Sequence, residues 1–142
     1  MSKSYFARYA FSILLFLFSI PAHSQVGSTC ANPEVITTIP FSSGTKSTCA
    51  GANNYSSQMA CGNYYMGGYD YVYKFTPTSI LNSCITLALN NGSSRGIFVF
   101  DGCPDQPTTN CVAQSVDQGS VPASVKSLQL TVGKTYYFII SS

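Results

Sequence analysis

The chain reads as an all-β protein, an antiparallel β-sandwich of jelly-roll type stapled by disulfides, behind an N-terminal signal peptide. Three observations predict this. Apolar and polar residues alternate with period two in several short runs, and the runs are separated by stretches rich in Gly, Ser, Thr and Asn. No segment after residue 24 sustains the 3.6-residue period of a helix. All six cysteines lie beyond the opening apolar run.

The first 24 residues carry Lys3 and Arg8, an apolar stretch from Ala10 to Ile20, and small residues at Ala22 and Ser24. That order is a secretory signal with cleavage before Gln25. The apolar stretch is shorter than the roughly 20 residues a membrane-spanning helix needs. The expectation is therefore a secreted or cell-surface domain over residues 25–142, with no membrane contact once the signal is removed.

Along that domain, EVITTIPF (Glu34 to Phe41) reads as an edge strand, since Pro40 has no N–H to give a central ladder. The polar, glycine-rich stretch that follows, as far as Gly68, reads as a loop pinned by its cysteines. YVYKF (Tyr71 to Phe75) then alternates, which puts Tyr71, Tyr73 and Phe75 on one face, toward the core. Cys84 to Asn90 alternates again, with Ile85, Leu87 and Leu89 together. GIFVF (Gly96 to Phe100) is apolar throughout and suits a strand covered on both faces. NNGSSRG between these two strands supports a hairpin or a connected pair. Near the end, Leu128, Leu130 and Val132 share a face, as do Tyr136, Phe138 and Ile140, with Gly133 and Lys134 as a tight turn between the two strands.

An even number of cysteines after a secretory signal implies disulfides. Spacing favours Cys103 with Cys111 and Cys49 with Cys61, each stapling one loop, which leaves Cys30 with Cys84. Six cysteines permit about 15 connectivities, and the others stay open. Zinc is the weaker alternative, because there is no CxxC pair and the chain's one histidine, His23, leaves with the signal.

Without the signal, five basic residues (Lys46, Lys74, Arg95, Lys126, Lys134) face five acidic ones (Glu34, Asp70, Asp101, Asp105, Asp117). A near-neutral surface lacks the basic groove that tracks phosphates, which argues against nucleic acid as a partner.

Four segments, GSTCANPEVI, GGYDYVYKFTPT, GIFVFDGCPDQPTTNCVA and LTVGKTYYFIIS, resemble in sequence and order a β-sandwich module of secreted Bacteroidetes proteins, similar to the bacterial pre-peptidase C-terminal domain. The resemblance implies a non-catalytic accessory module of secreted peptidases and adhesin-like surface proteins. Relatives continue past the T-Y-Y motif into a Trp-Pro segment and a further strand, so the resemblance implies a domain lacking its last strand. Relatives also carry an acid where this chain has Tyr69, which weakens a paired-carboxylate role at that turn.

Candidate functional residues follow from chemistry. Asp70, after Gly67 and Gly68, is placed to accept backbone N–H bonds and fix the start of its strand. The sharper alternative is a calcium site built from Asp70 with Asp101 or Asp105 and loop carbonyls, without the DxDxDG series that would mark it. Asp101 and Asp105 are also close enough in sequence to be considered as a glycosidase pair, but Gly102, Cys103 and Pro104 between them favour turn chemistry. A Ser or Cys nucleophile would lack a histidine base. Tyr64, Tyr65 and Tyr69 cluster beside a polar loop and are the candidates for contact with an extracellular glycan, a protein or a neighbouring domain. The reading is a binding or accessory module with no cofactor beyond calcium; its rival is the accessory fragment of a secreted peptidase whose catalytic part lies elsewhere.

Overall fold

A computed structural model describes residues 25–49, 51–56, 61, 64–86, 95–117, 119 and 121–142. They form seven strands: β1 (Glu34–Ile36), β2 (Asp70–Phe75), β3 (Leu81–Thr86), β4 (Gly96–Phe100), β5 (Cys111–Val116), β6 (Ser124–Leu130) and β7 (Tyr136–Ser141). One 3-10 turn, Tyr64–Met66, is the helical element among the described residues. No helix among them is long and apolar enough to cross a membrane.

Five strands make one mixed sheet in the order β1-β2-β7-β4-β5, and β3 pairs with β6 in a separate two-stranded ribbon. β1 runs parallel to β2, and the other pairings are antiparallel. The edge strand anticipated over Glu34 to Phe41 is β1, but it stops at Ile36, before it reaches Pro40. GIFVF is β4, and all five of its residues are buried, as a strand paired on both sides and covered on both faces should be.

Alternation along the central strands divides the core in two. On one face Tyr71, Tyr73 and Phe75 of β2, Ile97 and Val99 of β4, and Tyr136 and Phe138 of β7 pack with Val125, Leu128 and Leu130 of β6. On the other, Val72, Phe98, Phe100 and Ile139 pack with Tyr55 and Met66 from the long loop. The first face is thus closed by a strand and the second by a loop.

A β-bulge in β6 makes the first closure work. Ile85 pairs with Val125 and Ser83 with Leu128, so two steps on β3 match three on β6. The extra residue changes the phase of the alternation, which is why Val125 and Leu128, three apart, are both buried. Ser127 absorbs the irregularity with φ 55. Val132, expected on the core face with Leu128 and Leu130, lies beyond the strand and is 47 % exposed.

Three expectations are corrected. The strand read over Cys84 to Asn90 starts earlier, at Leu81, and its continuation over 87–90 lies outside the described residues. It is no hairpin partner of GIFVF, because β3 pairs with β6 while β4 pairs with β5 and β7. The cysteine pairs also differ: Cys30 bonds Cys103 and Cys61 bonds Cys111, while Cys49 is free and exposed. Cys103–Cys111, Cys49–Cys61 and Cys30–Cys84 are therefore not the pairs.

The reason is geometric. The loop from Asp101 to Cys111 is already closed by hydrogen bonds: Asp101 N–H donates to the Asn110 carbonyl at 3.2 Å, and the Thr109 hydroxyl to the Cys103 carbonyl at 2.6 Å. Cys103 and Cys111 pack against the loop-covered face of the sheet, where Cys30 and Cys61 arrive from distant sequence. The bridges hold the cover on the sheet. With separations of 73 and 50 residues, each restricts the unfolded chain by about 4 kcal/mol in the chain-entropy account. Two such bridges fit an oxidising, extracellular environment.

Candidate functional site

The cover comes together around Asp70, the first residue of β2, which is fully buried. Its Oδ2 accepts the backbone N–H groups of Asn54 and Tyr55, each at 2.9 Å, and its own N–H donates to the Ala52 carbonyl at 3.2 Å. The expectation that this acid fixes backbone was right in kind, but the backbone belongs to the loop laid over the sheet and not to the turn before the strand. Oδ1 and the Ser141 hydroxyl, on register-paired residues of β2 and β7, are both buried without a regular hydrogen bond. Burial raises the Asp70 pKa above its ordinary 3.8, against the opposing pull of Ser141 and the Tyr55 and Asn54 N–H groups.

Glycine is needed where backbone crosses backbone here. A Cβ on Gly68 would lie 1.6 Å from the Ser142 carbonyl oxygen, and one on Gly51 would lie 2.5 Å from that of Asp70. Between these crossings Tyr69 and Ser142 exchange two backbone hydrogen bonds, Tyr69 N–H to Ser142 O at 2.9 Å and Ser142 N–H to Tyr69 O at 3.1 Å. The Thr48 and Ser142 hydroxyls bond at 2.5 Å, and the Asn53 amide donates to the Gly67 carbonyl at 2.7 Å. Tyr69 is thereby held by fixed backbone while its side chain is 52 % exposed.

The other two candidate tyrosines do not join it. Tyr65 is half-buried and packs against the loop-covered core, and the Tyr64 side chain lies outside the described residues. Tyr71 and Tyr73 are buried with their rings 5.0 Å apart. The Tyr71 hydroxyl donates to Glu34, which also pairs with Lys46 at 2.9 Å.

The three acids considered for calcium are dispersed. Asp70 is occupied by the loop. Asp101 accepts from the Asn110 N–H at 2.6 Å and from Lys134 Nζ at 2.8 Å, which, with Lys134 the larger cause, lowers its pKa to about 2. This is the turn chemistry anticipated from FDGCPD. Asp105 is exposed, with its Oδ1 accepting from the Gln106 amide at 3.1 Å. Among the described residues no group of three or more His, Cys, Asp or Glu side chains is placed to share a cation.

One concavity lies beside this region, a shallow cleft of about 320 Å³ lined by Thr29, Cys30, Ala31, Asn54, Tyr55 and Asp105. Its floor is Tyr55, whose hydroxyl accepts the Cys30 N–H at 2.8 Å and donates to Cys30 Sγ at 3.1 Å. Sequence reasoning passed over Tyr55, which sits in a polar NNYSS stretch with no alternation to mark it as core. Comparison with family models, with curated proteins and with solved structures found no match to this chain.

Proposed function

We propose that this is a non-catalytic binding or accessory module of β-sandwich type, secreted or displayed at the cell surface, that meets an extracellular glycan or protein with the Tyr69 end of its sheet. The observation that carries this reading is the combination at Tyr69 of an exposed ring with a doubly hydrogen-bonded backbone. An aromatic ring offers large contact area, and a fixed backbone lowers the entropy lost on binding. Asn53 and Thr48, whose side chains bond to Gly67 and Ser142, add to the hydrogen bonds that fix the backbone around Tyr69. The sandwich reading draws support from β6, which brings Val125, Leu128 and Leu130 onto the large sheet. The pre-peptidase C-terminal resemblance of the four motifs points to the same class of accessory domain.

A screen of the purified protein against immobilised glycans and extracellular-matrix proteins tests the reading. Binding that falls about tenfold or more with Tyr69→Ala, as hot-spot aromatics do, and that survives Tyr65→Phe supports it. Binding indifferent to Tyr69, or none at all, refutes it.

A further inference from the structure

We propose that the Cys30–Cys103 disulfide is a thiol-exchange site served by the cleft, taking small thiols and preferring those that carry a positive charge. Cys30 lines the cleft and Cys103 does not. A small molecule entering there reaches the bridge from the Cys30 side, which makes Cys30 Sγ the sulfur attacked and Cys103 the leaving group. Both sulfurs also lie near one hydroxyl, since Tyr55 Oη is 3.1 Å from Cys30 Sγ and 3.6 Å from Cys103 Sγ. The second bridge, Cys61–Cys111, has no such hydroxyl among the described contacts, and neither of its sulfurs lines the cleft.

The step balances without an added oxidant or reductant. An incoming thiolate attacks Cys30 Sγ and forms a new S–S bond to it. The Cys30–Cys103 bond breaks, and its electron pair goes to Cys103 Sγ. The Tyr55 hydroxyl, released from Cys30 Sγ, turns its hydrogen bond to that thiolate, which then takes a proton from water. Exchange rates rise when the leaving thiolate is stabilised, and a hydrogen bond to it does so. Burial, its largest influence, keeps the Tyr55 hydroxyl protonated past its ordinary value, so it remains a donor under the alkaline conditions in which thiolates form.

Charge selects the thiol. Asp105 is exposed at the cleft, and among the described residues no basic one lines it. An ammonium-bearing thiol is drawn in and an anionic one repelled.

The test uses the oxidised full chain with Cys49, the exposed free thiol, blocked by N-ethylmaleimide. Cysteamine and 2-mercaptoethanesulfonate are the probes, with acid quenching, peptide mapping by mass spectrometry, and the guanidinium-unfolded chain as the intrinsic-rate reference. The mixed disulfide is expected first on Cys30, before any adduct on Cys61 or Cys111. Relative to the unfolded reference, cysteamine is expected to be favoured, and Asp105→Asn to cut that preference about threefold at low salt, the scale of one charge a few ångströms away in water. Tyr55→Phe is expected to slow adduct formation about tenfold, the scale of a lost hydrogen bond to a charged group. First adducts on Cys103, Cys61 or Cys111, equal rates at both bridges, or a charge preference untouched by Asp105→Asn would overturn the proposal. If Tyr55→Phe does not fold, the adduct position and the Asp105 comparison still decide it.

Discussion

Asp70 and Tyr55 are joined side chain to backbone, the Asp70 Oδ2 accepting the Tyr55 N–H at 2.9 Å across 15 residues of sequence. The bond links the first residue of a central strand to the loop that covers it. Tyr55 in turn reaches the Cys30–Cys103 bridge through its hydroxyl. One carboxylate, one ring and one disulfide thus tie three separate stretches of chain over the second face of the sheet.

Replacing Asp70 should separate its hydrogen-bonding role from its charge. Asp70→Ala strands the buried Tyr55 N–H, while the exposed Asn54 N–H keeps the Ala52 carbonyl at 3.0 Å, and should cost about 2 kcal/mol, since an unpaired buried donor costs about 1–3 kcal/mol. Asp70→Asn keeps one acceptor oxygen and turns the other position into a donor toward Ser141, so it should stay within about 1 kcal/mol of the parent protein. Urea unfolding of the two variants at pH 7 measures the difference. Equal losses would mean that the charge matters more than the bonds.

The pH dependence of the two acids should run in opposite senses. Asp101 has a folded pKa of about 2, below its ordinary 3.8, so its contribution is full above the ordinary value and lost as pH falls from there through about 2. Asp70 has a raised folded pKa, so its contribution is present below the ordinary value and lost as pH rises through the folded one. Lys134→Met should move the Asp101 titration back toward its ordinary value, incompletely because Asn110 still donates to it. Carboxyl-carbon NMR titration of both residues checks the directions. An Asp101 midpoint unchanged by Lys134→Met would remove the ion pair as the leading cause.

Much of the sheet was legible in the sequence because period-two alternation is a local signal. Tyr71, Tyr73 and Phe75 were placed on a core face from spacing alone, and GIFVF as a strand covered twice. The pairing of the strands was less legible, because a turn-rich stretch between two strands is equally compatible with a hairpin and with a crossover to another sheet. The cysteine pairs failed for a related reason: short spacing favours short loops entropically, but the direction of each side chain in the folded sheet decides which sulfurs meet. Asp70 is marked in the sequence by its place before a strand. Its partners at 54 and 55 carry no mark in the sequence, since any residue but proline supplies a backbone N–H.

The disulfide assignment itself is open to test. Non-reducing peptide mapping should recover Cys30 with Cys103 and Cys61 with Cys111. The double variant Cys61→Ala, Cys111→Ala should lose about 4 kcal/mol by the chain-entropy account for a 50-residue separation. Recovery of a Cys103–Cys111 peptide would instead restore the short-loop pairing.

Gly68→Ala should release the Tyr69 anchor. Its Cβ would stand 1.6 Å from the Ser142 carbonyl, a contact that only backbone movement can relieve. A loss of about 2 kcal/mol is expected, within the range for overpacked sites, together with faster amide exchange at Tyr69 and Ser142. Gly44→Ala is the matched control: no atom lies within 4 Å of its added Cβ, and only its φ of 64 opposes the change. A Gly68→Ala protein as stable as the control would show that the crossing can open freely.

The bulge in β6 gives the last prediction, and one in the stabilising direction. Ser127 stands at φ 55, a conformation that costs a residue with a Cβ about 1–2 kcal/mol. Glycine relieves that cost but gives the unfolded chain more freedom, which subtracts about 0.4–1 kcal/mol. Because Ser127 is exposed, little packing is lost with its side chain. Ser127→Gly should therefore raise stability by about 0.5–1 kcal/mol, while Ser127→Val, with a branched Cβ at the same φ, should lower it by about 1 kcal/mol or more. Urea midpoints at unchanged m-value measure both. If glycine destabilised and valine were neutral, β6 would have to run as a regular strand through Ser127, and Val125 and Leu128 could not both face the core.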